Sequence, residues 1–331
     1  MTKLIAPNAG GIEAAVDLLK QGECVALPTE TVYGLAANAT NADAVARIYE
    51  AKGRPDHNPL IVHVATIEDV TQLIEMNAKA QALAARFWPG PLTIVGRMKA
   101  GKNIAPAVTA GLETLAVRVP NHPVFRAVLQ GCGFPLAAPS ANASGTISAT
   151  SPQIVMAGLS GKIPLVVAGG TTDKGVESTI IDLSGDEPAL LRHGGVPKEL
   201  IEAIIGALVD ATKPTATPKS PGQLLRHYAP RARLRLNAVD VAPGEALLAF
   251  GSLKFMGIQG GGWAKDLPFN KLKNLSETGD IDEAAHNLFL HLHDLDQSGA
   301  TTVAVMPIPE TGIGVAVNDR LRRACQAQET V

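Results

Sequence analysis

Two cationic side chains lie close together in the segment KGRPDHNPL, which occupies positions 52–60. Lys52 and Arg54 flank a glycine and precede Pro55, so we expect them to project from a stiffened turn with little helix around them. Two cations at this spacing suit a polyphosphate ligand, and the alternative is an ordinary solvated basic turn. We interpret the segment as an anion-binding site.

Hydroxyl side chains follow an apolar run in the segment CVALPTET, positions 24–31. Thr29 and Thr31 come directly after a proline at the end of a predicted strand, and the ligands of open α/β sheets gather where strands end. A helix N-cap or a turn is the ordinary alternative. Both threonines are therefore candidates for contacting a polar ligand.

Two further candidates lie inside apolar strands. Arg118 belongs to TLAVRVP at 114–120, and a guanidinium buried there needs a carboxylate or phosphate partner. We interpret it as a bidentate clamp on a ligand carboxylate, with a structural salt bridge as the alternative. His63 belongs to LIVHV at 60–64, where a lone histidine is more often a core residue than a ligand contact.

Neutral donors and another cation come from later segments. In PSANASG, positions 139–145, small residues let the backbone approach a ligand closely while Ser140 and Asn142 supply donors. An everyday loop is the alternative. Ser178 opens the predicted strand STIIDL and Arg192 lies in the next one, ALLRHGG. We expect this strand pair to bring the two residues to one rim of the sheet.

The elements that must position these side chains alternate between helices and strands. Apolar periodicity predicts helices at 12–20, 42–51, 67–87 and 122–130. Short apolar runs predict strands at 24–28, 60–64, 92–98, 114–120, 135–139, 164–170, 178–183 and 189–195. This alternation predicts an α/β fold with a twisted, mostly mixed open sheet and flanking helices.

A linker and a smaller domain follow. The segment DATKPTATPKSPG, which begins at Asp210, is rich in proline, threonine and lysine. Beyond it, strands at 246–252 and 301–309 and helices at 281–297 and 317–327 predict a Rossmann-like β-α-β unit. We divide the chain into a catalytic domain at 1–205, a linker and active-site lid at 206–232, and a C-terminal α/β domain at 233–331.

Tyr228 lies just past the Pro/Thr-rich segment that begins at Asp210, where an aromatic ring needs a surface to cover. We interpret it as part of the lid over a ligand. Packing against the C-terminal domain is the alternative.

Charge and cysteine content exclude several classes of protein. The 331 residues carry a formal net charge of -2 with a pI near 6.5, so no broad electrostatic attraction draws a nucleic-acid backbone. The three cysteines lie far apart, and no apolar run reaches the roughly 18 residues that cross a bilayer. We expect a cytoplasmic protein that does not enter a membrane.

Standard nucleotide and metal motifs are absent from the sequence. It has no G-x-x-x-x-G-K-[ST], no strict G-x-G-x-x-G after a strand and no G-x-S-x-G. The triple glycine at 260–262 is interpreted as a flexible loop. The histidines of segment 286–296 lack the i, i+4 spacing of a zinc-binding helix. We therefore assign no metal ligands.

Several of these segments, in this order, resemble the YrdC/TsaC family of threonylcarbamoyl-AMP synthases. The matching pieces are PTETVYGL at 28–35, KGRPDHNPL at 52–60, SAN at 140–142 and STIID at 178–182. SPGQLLRHYAP at 220–230 resembles the longer, two-domain form. The resemblance implies a nucleotidyltransferase that joins L-threonine, bicarbonate and ATP into threonylcarbamoyl-adenylate, for N6-threonylcarbamoyladenosine modification of tRNA next to the anticodon.

The resemblance also implies roles for individual residues. Lys52 and Arg54 are expected to be catalytic. L-threonine is expected to contact Thr31, His63, Arg118, Ala138 and Ser178. ATP is expected to contact Arg54, Asn58, Ser140, Asn142, Ser148, Arg192 and Tyr228.

The family further implies magnesium on the ATP triphosphate, held partly by substrate oxygens. A separate tRNA threonylcarbamoyl transferase system is expected to take the product, and direct contact of this chain with tRNA is left open.

Two other functions stay open from the residues alone. The first domain could be an RNA-binding module without catalysis, with Lys52, Arg54 and Arg118 as a local basic patch. RNA affinity would then fall steeply with salt. The C-terminal unit could be a sensor for a small molecule, but it has no motif that names a ligand.

Overall fold

The computed structural model describes residues 1–213, 215, 218–222 and 228–329, the side chain of Glu329 excepted. The chain divides into two compact units, of which the first spans 1–144, 148–173 and 177–224 and the second spans 145–147, 174–176 and 225–331, as far as these are described. The predicted division at 205 and 232 stays a prediction. Part of the predicted lid, namely 214, 216–217 and 223–227, lies outside the described residues.

In the described part of the first unit, eleven strands form one mixed sheet. They are β1 (Lys3–Ile5), β2 (Val25–Leu27), β3 (Gly34–Asn38), β4 (Ile61–His63), β5 (Leu92–Arg97), β6 (Thr114–Arg118), β7 (Leu136–Ala137), β8 (Leu165–Val167), β9 (Thr179–Asp182), β10 (Ala189–Arg192) and β11 (Val209–Asp210). Their spatial order is β1-β8-β2-β3-β7-β4-β6-β5-β9-β10-β11, with parallel and antiparallel neighbours. The expected α/β fold on a mixed sheet is confirmed.

Helices accompany this sheet, and most begin at a polar cap. They are α1 (Ala9–Lys20), α2 (Ala42–Lys52), α3 (Ile67–Leu73), α4 (Ala78–Phe87), α5 (Pro106–Thr109), α6 (Pro123–Cys132), α7 (Pro152–Leu159) and α8 (Lys198–Ile205). The side chains of Asn8, Asn41 and Asn77 each accept a backbone N–H from the first turn of the helix that follows. Such caps satisfy donors that the helix itself leaves unpaired.

The single helix predicted at 67–87 is wrong, because two helices occupy this stretch. The backbone leaves α3 at Ile74, which is fully buried and forms an isolated β-bridge with Met98. Asn77 then caps α4. The apolar periodicity runs on through the break, so it gives no sign of the tertiary contact that causes it.

The core beside the site is built by α1 and α6 against β2, β7 and β8. Phe125 of α6 is fully buried there, among Leu19, Val25, Leu136 and Leu165. Truncating such a buried ring typically costs about 3–5 kcal/mol. The same ring lies 5.2 Å from the ring of His63, so this core holds one of the candidate site residues in place.

The second unit contains a parallel sheet, as its predicted Rossmann-like character requires. Its strands are β12 (Arg233–Arg235), β13 (Asp240–Val241), β14 (Ala246–Ala249), β15 (Gly257–Ile258), β16 (Leu272–Asn274) and β17 (Thr302–Val305), and its helices are α9 (Ile281–Asp296) and α10 (Gly314–Glu329). The main sheet has the order β12-β17-β14-β16, and β13 pairs with β15. No helix among the described residues is both long and apolar enough to cross a bilayer.

Two upstream tripeptides belong to the second unit. The Gly145 carbonyl accepts the Ala229 N–H over 2.9 Å. Gly175 has a φ of +68°, and a Cβ at this position would lie 2.1 Å from the Ala285 carbonyl oxygen. Only glycine fits there, since a side chain would both clash with α9 and strain the backbone.

Candidate functional site

The segment after β2 forms a tight turn lined by hydroxyl groups. The Thr29 hydroxyl donates to the Val32 carbonyl over 2.6 Å and accepts the backbone N–H groups of Thr31 and Val32. Its oxygen also lies 2.8 Å from the Thr31 hydroxyl oxygen. A side-chain turn of this kind fixes both hydroxyls. The fully buried Thr31 is therefore held in one orientation.

Arg118, at the end of β6, is the centre of a buried ion pair. Its Nη2 donates to Glu30 Oε1 over 2.6 Å, and its Nη1 donates to Thr31 Oγ1 over 2.9 Å. Its Nε donates to the Gly90 carbonyl, while Glu30 Oε2 accepts the Asn121 N–H. The salt bridge considered as an alternative is thus present. Among the described residues, two of the five guanidinium N–H donors are left for another acceptor.

His63 lies beside Arg118, because β4 and β6 pair in parallel register at these two residues. The imidazole is buried, and its Nδ1 has no hydrogen-bond partner in the part of the chain that the structure describes. Burial, followed by the charge of Arg118, lowers the pKa of His63 from 6.5 to about 3. The ring is therefore neutral at physiological pH, and Nδ1 is available to a ligand.

Acidification is expected to destabilise the first unit through His63. Its pKa is lower in the fold than in the unfolded chain, so the unfolded chain binds more protons and stability falls as the pH drops from 6.5 towards about 3. The steepest contribution is about 1.4 kcal/mol per pH unit. His63→Asn, which cannot titrate, is expected to flatten this dependence.

Urea unfolding at about pH 7 and about pH 4.5 measures the effect. The chain has two tryptophans, Trp88 in the first unit and Trp263 in the second. A Trp263→Phe background therefore leaves Trp88 as a fluorescent reporter of the first unit alone. Equal losses of stability with and without His63→Asn would contradict the prediction.

Lys52 is the last residue of α2 and is only 3% exposed. The expectation that it projects from a turn with little helix around it is wrong. The helix continues through Lys52 and ends at Gly53, whose φ of 60° is left-handed. The side chain consequently starts from a rigid element and points into the protein.

The Lys52 ammonium is held by backbone oxygens. Its Nζ donates to the carbonyl of Ser140 over 2.6 Å and to that of Asn142 over 2.5 Å. Within the described residues no carboxylate pairs with it. Burial, followed by the charge of Arg54, lowers the pKa of Lys52 well below its usual value. The third ammonium N–H can serve an anion, which would also offset the cost of burying the charge.

Arg54 and Asn58 lie in the turn that follows α2. The Arg54 Nε donates to the Asn58 carbonyl over 3.3 Å, and its Nη2 donates to the Pro59 carbonyl over 2.9 Å. Asn58 is 1% exposed, and its Oδ1 lacks a hydrogen-bond partner among the described residues. The turn thus combines a half-buried cation with a buried amide oxygen.

Ser178 and Arg192 meet at neighbouring ends of β9 and β10, so their predicted proximity is confirmed. The Arg192 Nη2 donates to Ser178 Oγ over 3.1 Å, and its Nε donates to the Ser178 carbonyl over 3.1 Å. Ser178 Oγ also lies 2.7 Å from Thr93 Oγ1. The Arg192 Nη1 reaches the Pro221 carbonyl in the linker.

Ser148 and Ala138 are also candidates, and both are buried. The Ser148 hydroxyl donates to Glu177 Oε1 over 2.6 Å. The Ala138 N–H donates to the Ile61 carbonyl, and its methyl group would lie 3.2 Å from a Cβ placed on Gly34. Small residues at these two positions therefore keep the backbones close together.

Short hydrogen-bonded steps connect Lys52 with Arg118. Lys52 binds the carbonyls on either side of Ala141, whose own N–H donates to the Tyr33 carbonyl over 2.7 Å. Tyr33 is two residues past Thr31, which accepts from Arg118. Lys52 and Arg118 are therefore held by two backbone segments, 31–33 and 140–142, that hydrogen-bond to each other.

A second set of steps connects Arg118 with Arg192. Arg118 donates to the Gly90 carbonyl, three residues before Thr93 in the chain. Thr93 contacts Ser178, which Arg192 clamps. The first unit thus links positive charges and hydroxyl groups from distant stretches through short chain segments and hydrogen bonds, and fixed charges and dipoles of this kind can stabilise anions. Among the described residues, no group of three or more His, Cys, Asp or Glu side chains forms a metal site.

Tyr228 packs inside the second unit. It is 1% exposed, its ring stacks on that of Phe289 at 5.6 Å, and the Arg320 guanidinium lies 5.0 Å from its ring centre. This is the packing considered as an alternative to a lid. Its expected contact with ATP stays a prediction.

Three polar residues of the site were not among the sequence candidates, namely Glu30, Thr93 and Glu177. Each is buried and hydrogen-bonded to a candidate. For Glu30 a signal existed, since a buried arginine needs a carboxylate and Glu30 lies within the matching segment PTETVYGL. Thr93 is brought to the site by the pairing of β5 with β9, and Glu177, which lies outside the strands, is brought there by the tertiary fold.

Comparisons with known proteins cover both units. Residues 17–194 match a family model described as telomere recombination, and residues 196–326 match one described as the C-terminal domain of threonylcarbamoyl-AMP synthase. The chain is 40% identical to the threonylcarbamoyl-AMP synthase of Bacillus subtilis, across 98% of this chain and 95% of that protein. It is 41% identical to the enzyme of the same name from Pyrococcus abyssi, across 95% and 93%.

A solved structure resembles the fold over its whole length. It is the crystal structure of P. abyssi Sua5 complexed with L-threonine, with a TM-score of 0.87, 37% identity, and coverage of 99% of this chain and 98% of that one. The resemblance noted from short segments is thereby confirmed over nearly every residue. The chain belongs to the threonylcarbamoyl-AMP synthase family, in its two-domain form.

Proposed function

We propose that this chain joins L-threonine, bicarbonate and ATP into threonylcarbamoyl-adenylate and releases pyrophosphate. The observation that carries the proposal is the buried Lys52 ammonium, which the described residues satisfy with carbonyl oxygens and not with a carboxylate. Leaving a buried charge without its counter-ion costs several kcal/mol, so such a group calls for an anionic ligand. Nearly full-length similarity to named synthases supports the choice of ligands.

The reaction brings together two anions. The threonine amine attacks bicarbonate with loss of water and forms N-carboxy-threonine, whose carboxylate oxygen attacks the α-phosphorus of ATP. The bond from that phosphorus to the bridging oxygen breaks, and the electron pair leaves with pyrophosphate. Cations and preorganised dipoles lower the barrier by stabilising charge that develops during transfer, and no covalent enzyme intermediate is needed.

The geometry favours a division of labour within the first unit. Arg118 would bind the threonine carboxylate with its remaining N–H donors, beside Thr31, the neutral His63, Ala138 and Ser178. Lys52 and Arg54 would hold the triphosphate and the carbamate. ATP would contact Asn58, Ser140, Asn142, Ser148 and Arg192, and Tyr228 if it leaves its present packing.

One feature of the site suits magnesium, namely a buried oxygen atom that lacks a hydrogen-bond partner among the described residues. Mg²⁺ takes oxygen ligands and usually keeps substrate phosphates among them. Asn58 Oδ1 is a buried oxygen with no partner among the described residues, so Asn58 would be available to the ion or to its water shell. Bound to the triphosphate, magnesium would neutralise charge on the leaving pyrophosphate.

The product belongs to a longer route. A mixed carboxylic-phosphoric anhydride hydrolyses readily, so we propose that a separate transferase system takes it and modifies the adenosine next to the anticodon of tRNA. A cytoplasmic location is part of the same proposal, because the chain must work in the compartment that holds ATP, threonine, bicarbonate and the tRNA. An RNA-binding module without catalysis is less well supported, since the overall net charge is -2.

A direct test detects the adenylate. Purified protein given ATP, threonine and ¹³C-labelled bicarbonate is expected to form threonylcarbamoyl-adenylate that carries the label, because the bicarbonate carbon becomes the carbamoyl carbon. Mass spectrometry measures the product, and omission of threonine or bicarbonate serves as the control. Pyrophosphate release that needs threonine but not bicarbonate would contradict the proposal, since it indicates an ordinary aminoacyl adenylate.

A further inference from the structure

The second unit exposes aromatic side chains in one short segment. Phe255, Trp263 and Phe269 are 83%, 50% and 84% exposed. The other aromatic residues of the chain are buried or half-buried. Large exposed apolar patches are uncommon on a protein surface without a partner and mark interaction sites.

Two of these rings each precede a buried core residue. The Ala264 N–H donates to the Met256 carbonyl over 2.9 Å, and the side chains of both residues are buried in the core of the second unit. Phe255 and Trp263 precede these two core residues in the chain. Phe255 lies in a turn and Trp263 is extended just before a short 3-10 helix, and at both places the ring faces solvent while the next side chain enters the core.

A lysine lies over each of the two phenylalanine rings. Lys254 Nζ lies 5.4 Å from the Phe255 ring centre, and Lys273 Nζ lies 4.4 Å from that of Phe269. Within 250–275 four lysines stand against one aspartate, a net charge of +3 in a chain whose total is -2.

Trp263 and two lysines of this segment line a cleft. It has a volume of about 270 Å³ and is lined by Leu253, Lys254, Trp263 and Lys265. Among the described residues, neither Lys254 nor Lys265 forms an ion pair. We call Lys254, Phe255, Trp263, Lys265 and Phe269 the aromatic-lysine surface.

We propose that the aromatic-lysine surface binds single-stranded RNA. Unpaired bases stack on exposed aromatic rings whatever their sequence, while lysines contact the phosphates between them. The cleft offers this combination, because its lining includes the Trp263 indole and two lysines that form no ion pair among the described residues. The choice of RNA over DNA rests on the proposed function, whose product is used on an RNA.

A protein partner fits these observations less well. Aromatic residues are enriched at protein–protein interfaces, but lysine is depleted there relative to the rest of the surface. This segment concentrates aromatic residues and lysines, and the lysines lie over the ring faces or beside them. Such a surface suits single-stranded RNA, which carries negative phosphates and flat bases.

The test is RNA binding by the full chain, measured by fluorescence anisotropy with a labelled single strand of about 12 nucleotides. Trp263→Ala is expected to weaken binding roughly 10- to 100-fold, the loss that follows removal of one stacking ring. Trp263→Phe, which keeps a ring, is expected to retain most of the affinity. Lys254→Gln with Lys265→Gln is expected to reduce the slope of log affinity against log salt by about 1.4.

Two exposed control positions lie outside the aromatic-lysine surface. Val239→Ala removes an exposed apolar side chain in the same unit, and Lys79→Gln removes an exposed lysine on α4. Both are expected to bind RNA as the parent does. No RNA binding by the parent, equal binding by Trp263→Ala and the parent, or equal affinity for a fully paired duplex would overturn the proposal. Binding to a protein or to anionic vesicles with no binding to RNA would overturn it as well.

Adenylate synthesis is measured on the same proteins. Trp263→Ala is expected to synthesise at the parent rate, because the ring belongs to the second unit and not to the network around Lys52. If Trp263→Ala loses RNA binding but keeps adenylate synthesis, the RNA site is separate from the synthase site. If the parent binds RNA but makes no adenylate, the proposed synthase function fails while the RNA-binding proposal stands.

Discussion

Replacing Lys52 by methionine is expected to lower the rate of pyrophosphate release by about 10²–10³-fold, the loss that follows removal of one preorganised donor to developing charge. Methionine keeps the length of the side chain and removes its charge. Since the ammonium is buried beside carbonyl oxygens, no mobile surface cation can replace it. Release of pyrophosphate from ATP, with threonine and bicarbonate present, measures the effect.

Lys52→Met is expected to stay folded. Removing a buried charge is favourable, but it leaves two carbonyl oxygens without their donor at a cost of about 1–3 kcal/mol each. The two effects oppose one another, so the free energy of unfolding should change by no more than about 2 kcal/mol. Lys79→Met is the matched control, because Lys79 is exposed on α4. Synthesis by Lys52→Met at the rate of this control would remove Lys52 from the mechanism.

Replacing Glu30 by glutamine is expected to lower the free energy of unfolding by about 3–5 kcal/mol, because Arg118 would keep a buried charge without its partner. The side chains of the pair are only 7% and 4% exposed. The same change should raise the KM for threonine, since the guanidinium loses the contact that orients it. Urea unfolding followed by Trp88 fluorescence, in the Trp263→Phe background, measures the stability.

The chain offers a matched pair for comparison. Glu23 and Arg47 form an ion pair with side chains 33% and 49% exposed. Exposed pairs of this kind are worth about 0–1 kcal/mol, so Glu23→Gln should have little effect. Adding Arg118→Met to Glu30→Gln should recover part of the lost stability, because the uncompensated charge is then gone. Equal losses from Glu23→Gln and Glu30→Gln would show that the buried pair does not stabilise the fold.

Local patterns predicted much of the first unit. The strands around His63 and Arg118 were predicted to within a few residues, because short apolar runs bounded by polar residues are typical of buried strands. The α/β class and the mixed sheet follow from that alternation. β3 was missed, because Gly34–Asn38 has one large apolar residue, Leu35, among small and polar ones and was interpreted as part of a ligand-binding segment.

Tertiary contacts account for what the sequence could not show. Lys52 looks like a turn residue beside a glycine, and only the packing of α2 buries it. The partner of Arg118 lies 88 positions away, and no periodicity connects the two residues. The contact of Ser178 with Thr93 similarly needs β5 and β9 to pair in parallel, which depends on the whole sheet order.

The membership of 145–147 and 174–176 in the second unit has an evolutionary consequence. Exchange of the C-terminal domain by a single recombination event would leave both tripeptides behind, including a glycine at 175 that no other residue can replace without strain. Compatible changes would be needed at two distant places in the gene. Selection should therefore favour inheritance of the two units as one block, with the upstream loops diverging in step with the domain that they help to build.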